Sequence, residues 1–250
     1  MTKRWLPVEW CGRSWRLGAG RAVHAPWCAT LIVADLHLGK ADTFRAAGVP
    51  VPEGTTAADL ARLAALLEGT AATRLIVLGD LLHAKQSLSP LVVEQVAAWR
   101  AARAVVEVVL VRGNHDRSAG DPPTSWGVQC VAEPWVEGGV GYCHDPCVDA
   151  AAACTLAGHV HPAVRLPDVG GHAPTVACFH VTPRVMTLPA FGAFTGRHVV
   201  AVGEDEHAYA VTPDGVIDVT ALVRPRGRAA AGRRRPRGAG AGSRTPRTRR

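Results

Sequence analysis

Three apolar runs of strand length, each followed closely by polar residues, indicate the class of fold that this chain adopts. The runs are Thr30–Ala34 (TLIVA), Arg74–Leu78 (RLIVL) and residues 105–111 (VVEVVLV). Asp35 follows the first run directly, and Asp80 lies two positions after the second. Helical sequence separates the runs, an alternation typical of α/β domains with a parallel sheet. Because open α/β sheets bind ligands at the carboxyl ends of their strands, we expect these polar residues to converge on a site.

Two segments between the runs have the pattern of structural helices. Residues 55–67 place four apolar side chains on one helical face, and Thr55 or Thr56 is predicted to cap the first turn. A second helix is predicted to begin at Ser89-Pro90, because serine is a good cap and proline is favoured at the first helical position.

The second half of the chain is rich in short strand-like runs bounded by glycine, proline or charged residues. The predicted strands are residues 139–143, 154–157, 176–179, 185–188, 199–202 and 209–211. This pattern predicts a second sheet that faces the first, with helices outside both sheets and no boundary between independent domains.

The basic charge of the chain is confined to its last segment. The sequence has a formal net charge of +7, yet residues 224–250 hold 11 arginines and no acidic residue. Residues 1–223 carry 17 basic and 21 acidic side chains, a net charge of −4. The last segment consists almost entirely of Arg, Ala, Gly, Pro, Ser and Thr, which cannot bury enough apolar surface to fold. We predict one domain over residues 1–223 and a disordered tail over residues 224–250.

The tail has two interpretations. It is an electrostatic arm that attracts a phosphate backbone without sequence preference, or it is an extension without function of the kind that GC-rich genes encode. The chain has 25 arginines and only 3 lysines, a bias that fits the second interpretation.

Cysteine usage and hydropathy indicate a soluble protein. The seven cysteines form no C-x-x-C pair, so the sequence predicts neither a disulfide framework nor a cysteine zinc site. No run of 18 apolar residues occurs, and the first 15 residues mix charged and apolar side chains. We expect a cytoplasmic protein without a membrane interaction.

Histidine, aspartate and asparagine recur in short clusters at the predicted strand ends. The clusters are residues 35–37 (DLH), 79–83 (GDLLH), 113–116 (GNHD), 144–145 (HD) and 158–161 (GHVH). Asp35 and His37, like His159 and His161, have the i, i+2 spacing that directs both side chains of an extended segment to one side. Carboxylate, amide and imidazole ligands without a thiolate suit Mn, Fe or Zn better than Ca. Their number suffices for two ions, the arrangement with which many hydrolytic centres clamp a phosphoryl group.

The ordered set D-x-H, G-D, G-N-H-D, H and G-H-x-H resembles the motifs of the calcineurin-like metallophosphoesterase superfamily over residues 35–161. The resemblance implies a four-layer α/β/β/α fold with two facing mixed sheets. It also implies two metal sites that share Asp80 as a bridging ligand. The remaining ligands would be Asp35, His37 and His161 for one ion and Asn114, His144 and His159 for the other. Mn is the ion that we expect, with Fe or Zn as alternatives.

Longer stretches are similar to the bacterial ligase-associated DNA damage response endonuclease family, called PdeM. They are residues 35–54 (DLHLGKADTFRAAGVPVPEG), 112–123 (RGNHDRSAGDPP), 158–162 (GHVHP) and 188–196 (LPAFGAFTG). This similarity implies a phosphodiesterase or endonuclease that acts on DNA in bacterial DNA repair, with a DNA ligase and a helicase as partners.

Two further histidines have implied roles. His115 is outside the implied ligand set, which suggests that it is the general acid and that Asp116 orients it. His83 occupies the position at which many monoester phosphatases of the superfamily carry a second aspartate. In having a histidine there, the chain resembles the nuclease subunit of the double-strand-break repair complex. An imidazole there would tolerate the bulky second substituent of a diester. His83 either contacts the substrate or packs below the metals.

Basic and aromatic residues near the clusters are candidates for substrate contacts. The basic candidates for binding phosphate oxygens are Lys40, Lys85, Arg117, Arg45 and Arg112, and a solvated surface cation is the alternative for each. The aromatic candidates for stacking on bases are Trp126, Trp135, Phe191 and Phe194, for which core or rim packing is the expected role.

Two other functions are compatible with the sequence. A small-molecule phosphodiesterase for cyclic nucleotide-like esters would use the same metal core, since that core is indifferent to the groups beyond the phosphate. A non-catalytic, metal-bound scaffold for repair partners is the third interpretation, and the intact ligand set argues against it. The leading prediction is a two-metal phosphodiesterase that acts as a DNA endonuclease.

Overall fold

The computed structural model of the chain describes residues 4–46, 48–51, 54–168 and 170–224. The tail predicted to be disordered, residues 224–250, lies outside the described residues except for Arg224.

The first sheet begins with an antiparallel meander and continues with parallel strands. Its described strands are β1 (Trp5–Trp10), β2 (Arg13–Gly18), β3 (Ala22–Ala25), β4 (Thr30–Ala34), β5 (Arg74–Leu78), β6 (Glu107–Val111) and β7 (Val128–Val131). They lie side by side in chain order. Strands β1 to β4 pair antiparallel, and β4 to β7 pair parallel, so the sheet is mixed.

The parallel strands follow the apolar runs of the sequence. Strands β4 and β5 have the predicted bounds, and β6 begins two residues later than predicted. All of β4 is buried, and β5 and β6 are buried from their second residue onward. A strand that packs on both faces needs apolar side chains in both directions, which explains why these runs are continuous.

The N-terminal meander is missing from the sequence predictions. Strands β1 and β2 alternate apolar side chains with exposed Glu9 and Arg16, as expected of strands with one solvated face. Trp15 and Leu17 of β2 are fully buried in the core between the sheets. The meander therefore extends this core beyond β4.

The second sheet contains the strand-rich half of the chain. Its described strands are β8 (Trp135–Glu137), β9 (Val140–Tyr142), β10 (Cys154–Ala157), β11 (Pro162–Arg165), β12 (Thr175–Val181), β13 (Val185–Thr187), β14 (His198–Val199), β15 (His207–Val211) and β16 (Val216–Asp218). The strand order is β14-β11-β12-β13-β10-β9-β8, and β15 pairs with β12 and β16. Strand β10 is parallel to β9 and β13, whereas β12 is antiparallel to β11, β13 and β15.

The two sheets pack face to face around one apolar core. Ile32 and Ile76 of the first sheet share a buried cluster with Leu156, Phe179 and Met186 of the second. This arrangement of two facing mixed sheets confirms the fold class predicted from the sequence.

Helices cover the outer face of the first sheet. The described helices are α1 (Lys40–Ala46), α2 (Thr55–Thr70), α3 (Pro90–Ala101), α4 (Asn114–Ala119) and α5 (Thr220–Val223). Leu60 and Leu63 of α2 and Val92 and Val96 of α3 pack on the sheet. Within the described residues, no helix is long and apolar enough to cross a membrane.

The outermost layer on the second sheet is thin. Cys178, Ala208 and Ala210 on the outer sheet face are covered by Val202 and by Val219, which directly precedes α5. The prediction of helices outside both sheets therefore holds fully for the first sheet, and in the described residues only the single turn α5 provides helix on the second.

The two predicted helix caps have different outcomes. Ser89 caps α3 as predicted, because its Oγ accepts a hydrogen bond from Val92 N at 3.3 Å. The cap of α2 by Thr55 or Thr56 is wrong: Gly54 occupies the cap position with φ 79°. Thr56 Oγ1 instead accepts a hydrogen bond from Gly39 N at 3.2 Å, which ties α2 to the segment that follows His37.

Replacing Ser89 with alanine removes the α3 cap, and we expect the free energy of unfolding to fall by about 1 kcal/mol. Urea unfolding followed by circular dichroism measures this change. Ser125→Ala, at an exposed serine before β7, is the matched control and should stay within about 0.5 kcal/mol of the parent. Parent-like stability of Ser89→Ala would show that the cap contributes nothing.

Candidate metal centre

The polar clusters of the sequence meet at the edge where strands of both sheets end. Asp35, Asp80 and Asn114 follow β4, β5 and β6 of the first sheet. His144 follows β9 and His159 follows β10 of the second sheet. The structure thus brings residues of all five clusters to one place between the sheets.

Asp35, His37 and His161 form the first group of ligand atoms. One atom from each lies within 4.8 Å of the others, and His161 Nε2 is 3.4 Å from Asp35 Oδ1. His37 Nε2 lies 3.7 Å from Asp80 Oδ2. Asp35, His37 and Asp80 are buried.

His144 lies at the centre of the second group. Its Nε2 is 3.5 Å from Asp80 Oδ1, 2.8 Å from Asn114 Oδ1 and 3.0 Å from His159 Nδ1. Asp80 therefore directs one carboxylate oxygen toward His37 and the other toward His144.

The hydrogen bonding of His144 leaves lone pairs facing one another. Its Nδ1 lies 3.1 Å from the carbonyl oxygen of Leu78, which can only accept, so in the neutral ring that binds metal Nδ1 carries the proton and Nε2 has the lone pair. That lone pair faces the side-chain oxygen of Asn114 and the Asp80 carboxylate, which are acceptors as well. Such atoms repel unless a cation lies among them, so this set of oxygen and nitrogen donors fits a divalent metal ion.

Five residues of the two groups have a backbone conformation that L-amino acids rarely adopt. Asp35, His37, Asp80, His159 and His161 have φ between +48° and +64°. The prediction that the i, i+2 pairs belong to extended segments is therefore wrong. Each residue turns individually in the left-handed region, at a cost of about 1–3 kcal/mol.

Backbone hydrogen bonds hold this strained path in place. Asp35 N donates to Gly79 O at 3.2 Å, and His37 N donates to Asp80 O at 2.8 Å. The segment after β4 is thereby fixed to the segment after β5. Strain of this kind is typical of functional sites, where the surrounding contacts over-determine the conformation.

Three glycines allow backbone to approach the ligands. A β-carbon at Gly79 would lie 2.1 Å from His144 Nδ1, and one at Gly113 would lie 2.3 Å from Asp80 Oδ1. A β-carbon at Gly158 would lie 2.9 Å from the carboxylate that follows β4. The glycines of the G-D, G-N-H-D and G-H-V-H clusters are therefore required by packing around the ligands.

His115 lies at the margin of the ligand groups. Its side chain is 38% exposed, and its Nε2 is 4.0 Å from Asp80 Oδ2. Its Nδ1 is 2.7 Å from the carbonyl oxygen of His83, so this carbonyl fixes the orientation of the ring.

The prediction that Asp116 orients His115 is wrong. The Asp116 carboxylate accepts hydrogen bonds from Leu82 N at 3.1 Å and from Gly113 N at 2.9 Å. Burial raises the pKa of this carboxyl to about 6. Asp116 therefore joins the segments after β5 and β6. The His83 carbonyl, and not Asp116, orients the His115 ring.

Burial keeps two imidazoles of the site neutral. Burial, and then the positive charge of Lys40, lowers the pKa of His37 to about 2 and that of His83 to about 4. A neutral imidazole has a lone pair available for a metal ion or a proton.

Glu133, which the sequence analysis does not select, fixes the backbone of His144. Glu133 Oε2 accepts hydrogen bonds from His144 N at 2.7 Å and from Asp145 N at 3.0 Å. Its Oε1 accepts a bond from Arg117 at 2.9 Å. Burial opposes ionisation of Glu133, but these hydrogen bonds outweigh it and lower the pKa. No local motif marks this residue, because its partners are brought to it by the fold.

The basic residues predicted to bind phosphate have different surroundings. Arg117 pairs with Glu133, and Arg112 pairs with Asp121 at 2.7 and 2.8 Å. Arg45 pairs with Asp42. Lys40 is partly buried, and burial lowers its pKa. The nearby Asp80 and Asp35 carboxylates oppose this effect without outweighing it. Lys85 is exposed two positions after His83.

Three of the four aromatic candidates are packed as expected. Trp126 and Phe191 are fully buried, and Trp135 packs on Tyr142 with ring centroids 5.2 Å apart. Phe194 differs, because it is 36% exposed.

The segment that carries Phe191 and Phe194 packs over the end of β4. Phe191 N donates to Ala34 O at 2.7 Å, and Gly192 N donates to Asp35 O at 3.0 Å. Ala193 N donates to Asp59 Oδ2 at 3.1 Å, which fixes the segment to α2.

Comparisons with known proteins agree with this geometry. The calcineurin-like phosphoesterase family matches residues 29–163. The crystal structure of Pseudomonas putida nuclease MPE is similar, with a TM-score of 0.76 and 38% identity over 86% of this chain and 99% of that chain. Yfce, a phosphoesterase from E. coli, has a TM-score of 0.38 and 16% identity over 78% of this chain and 99% of that chain, a similarity that supports no conclusion. No curated protein matches the chain.

Replacing Gly79 with alanine places a β-carbon against His144, and we expect weakened Mn²⁺ binding and a loss of more than about 2 kcal/mol in unfolding free energy. Gly12→Ala is the matched control, since Gly12 has φ +69° against +73° at Gly79 and no described atom within 4 Å of its β-carbon. The control should show only the backbone cost, about 1–2 kcal/mol. Calorimetric titration and urea unfolding measure the two effects, and equal results for both variants would contradict the close approach.

Replacing Glu133 with alanine releases the backbone of His144, and we expect Mn²⁺ affinity to fall by about tenfold or more. Calorimetric titration measures the affinity. The matched control is Glu137→Ala, since Glu137 lies on β8 and pairs with Arg74. Parent-like affinity in Glu133→Ala, or the same loss in the control, would remove the positioning role.

Proposed function

This chain belongs to the calcineurin-like phosphoesterase family, and from that premise we propose that it is a DNA endonuclease of bacterial DNA repair. Membership makes it a metal-dependent phosphoesterase, as the motif resemblance predicted. The convergence of Asp35, Asp80 and His144 ligand atoms within 4.8 Å of one another is the observation that carries the proposal.

In this proposal Asp80 would be a ligand shared by two ions. Asp35, His37 and His161 would complete one site, and Asn114, His144 and His159 would complete the other. When bound, the ions neutralise phosphate charge and lower the pKa of the attacking water. Mn²⁺ is the proposed ion, with Fe or Zn as alternatives, because the donors are oxygen and nitrogen without a thiolate.

His115 is the proposed general acid. Its Nδ1 donates a hydrogen bond to the His83 carbonyl oxygen, which leaves Nε2 as the nitrogen that exchanges a proton with the substrate. The exposure of the ring gives a substrate access to Nε2. The oxygen that leaves phosphorus takes the proton from this nitrogen.

His83 is the proposed contact for the second substituent of a diester. Its ring stacks on His115 with centroids 4.8 Å apart, and its lowered pKa keeps it neutral. A carboxylate in this position would repel an anionic diester, whereas a neutral ring does not.

DNA is proposed as the substrate on two grounds. The similar P. putida protein is described as a nuclease, and the longer motifs resemble the PdeM family. A DNA ligase and a helicase as partners, a cytoplasmic location and a domain ending near residue 223 belong to the same proposal. Lys40 and Lys85 are the proposed phosphate contacts, and we assign Arg117 to the support of Glu133 instead.

The first test is cleavage of supercoiled plasmid and of a single-stranded oligonucleotide by the full chain with Mn²⁺. We expect cleavage that EDTA abolishes and that falls by about 100-fold or more in His115→Ala. On bis-(p-nitrophenyl) phosphate the same variant should lose less than about tenfold, because nitrophenolate leaves without a proton.

Two controls make these outcomes decisive. The His115→Ala protein is purified identically, which exposes contaminating nuclease, and its Mn²⁺ content should equal that of the parent. Equal losses on both substrates would contradict the general-acid role. Turnover of the nitrophenyl ester without DNA cleavage would favour a small-molecule diesterase, for which the net charge of −4 over residues 1–223 is the supporting observation.

A further inference from the structure

A row of aromatic rings leads from the ligand groups to the protein surface. The ring centroids of His37 and His115 are 5.2 Å apart, and those of His115 and His83 are 4.8 Å apart. From His83 to Phe44 the distance is 6.1 Å, and from Phe44 to Phe194 it is 5.4 Å. The row therefore begins at a proposed ligand, passes the proposed general acid and ends in two phenylalanines.

Phe194 is held at the surface by its neighbours. The preceding backbone is fixed by hydrogen bonds to Ala34 and Asp59, and Phe191 is fully buried, whereas Phe194 is 36% exposed. Its contact with Phe44 is edge to face, with an interplanar angle of 84°. An edge-to-face pair leaves ring faces that its members do not cover, and such faces accept another flat ring.

Helix α1 places a cation and an aromatic ring on the same side. Lys40 and Phe44 are four residues apart, a spacing that puts them on one helix face about one turn, or ~5.4 Å, apart. Lys40 lies near the Asp80 and Asp35 carboxylates, and Phe44 packs on His83 with ring centroids 6.1 Å apart. The order along the helix is thus the proposed phosphate contact followed by an apolar ring, which matches the phosphate and base of a nucleotide.

We propose that Phe44 and Phe194 form a stacking platform for a nucleobase next to the scissile phosphate. The proposal rests on the proposed function, because it takes the metal centre as the place of cleavage. Stacking of a base on an aromatic side chain stabilises binding by about 1–3 kcal/mol and tolerates every base. The platform selects diesters that carry an unstacked base over diesters that carry none.

The test compares an oligothymidylate with an oligonucleotide of equal length built from abasic tetrahydrofuran units. Phe194→Ala should lower kcat/KM on the oligothymidylate by about tenfold or more and change it by less than about twofold on the abasic strand. Phe194→Trp should restore cleavage of the oligothymidylate, whereas Phe194→Leu, which is apolar but has no ring, should behave like Phe194→Ala. Leu222→Ala, at a leucine that is 60% exposed on α5, is the control and should match the parent.

The outcomes separate the possible roles of Phe194. Equal losses on both strands would overturn the platform and assign Phe194 to the packing of the segment. Unchanged kcat/KM on the oligothymidylate would overturn it as well. If the endonuclease proposal is wrong, the result differs, because the parent protein then cleaves neither strand. In that case the platform is contradicted as well.

Discussion

Two carboxylates are buried between the two apolar sheets, and the segments around them are arranged to compensate their charge. Asp35 is 0% and Asp80 is 2% exposed. Burial, and the proximity of Asp35, raise the pKa of Asp80, and an uncompensated buried charge costs several kcal/mol. Backbone amides supply part of the compensation, because His159 N donates to Asp35 and His115 N donates to Asp80. A metal ion bound at the candidate ligand groups would supply further compensation and would thereby stabilise the folded state.

The residues around the centre divide into two groups by what they bind. Asp116, which is buried, and Glu133, which is partly buried, bind backbone amides of the segments that carry the ligands, and the exposed Arg117 supports Glu133. Lys40 and His83 are instead the proposed contacts for the substrate. Substitutions in the first group change the position of ligands, whereas those in the second change what the centre accepts.

The sequence predicts the parts of this molecule whose information is local. Strands β4 and β5 are predicted residue for residue, because burial on both faces requires a continuous apolar run. The ligand types are readable because they follow those runs directly. The N-terminal meander is missed because β1 and β2 lack the continuous buried run that marks β4, and the left-handed backbone of Asp35 and His37 has no signature in residue type. The roles of Asp116 and Glu133 are not predicted from the sequence, because they depend on backbone amides that only the folded chain places beside these carboxylates.

The distance along the chain between Asp35 and His159 governs the order of assembly. These residues are 124 positions apart, yet the His159 amide lies 3.0 Å from Asp35 Oδ2. A loop of this length closes late in folding, because the chain loses conformational entropy before the contact can compensate for that loss. A nascent chain that ends before β10 holds Asp35, Asp80 and His144 but lacks His159 and His161. The candidate metal centre is therefore assembled only when the second sheet packs against the first, and a shortened chain would lack part of the proposed ligand set.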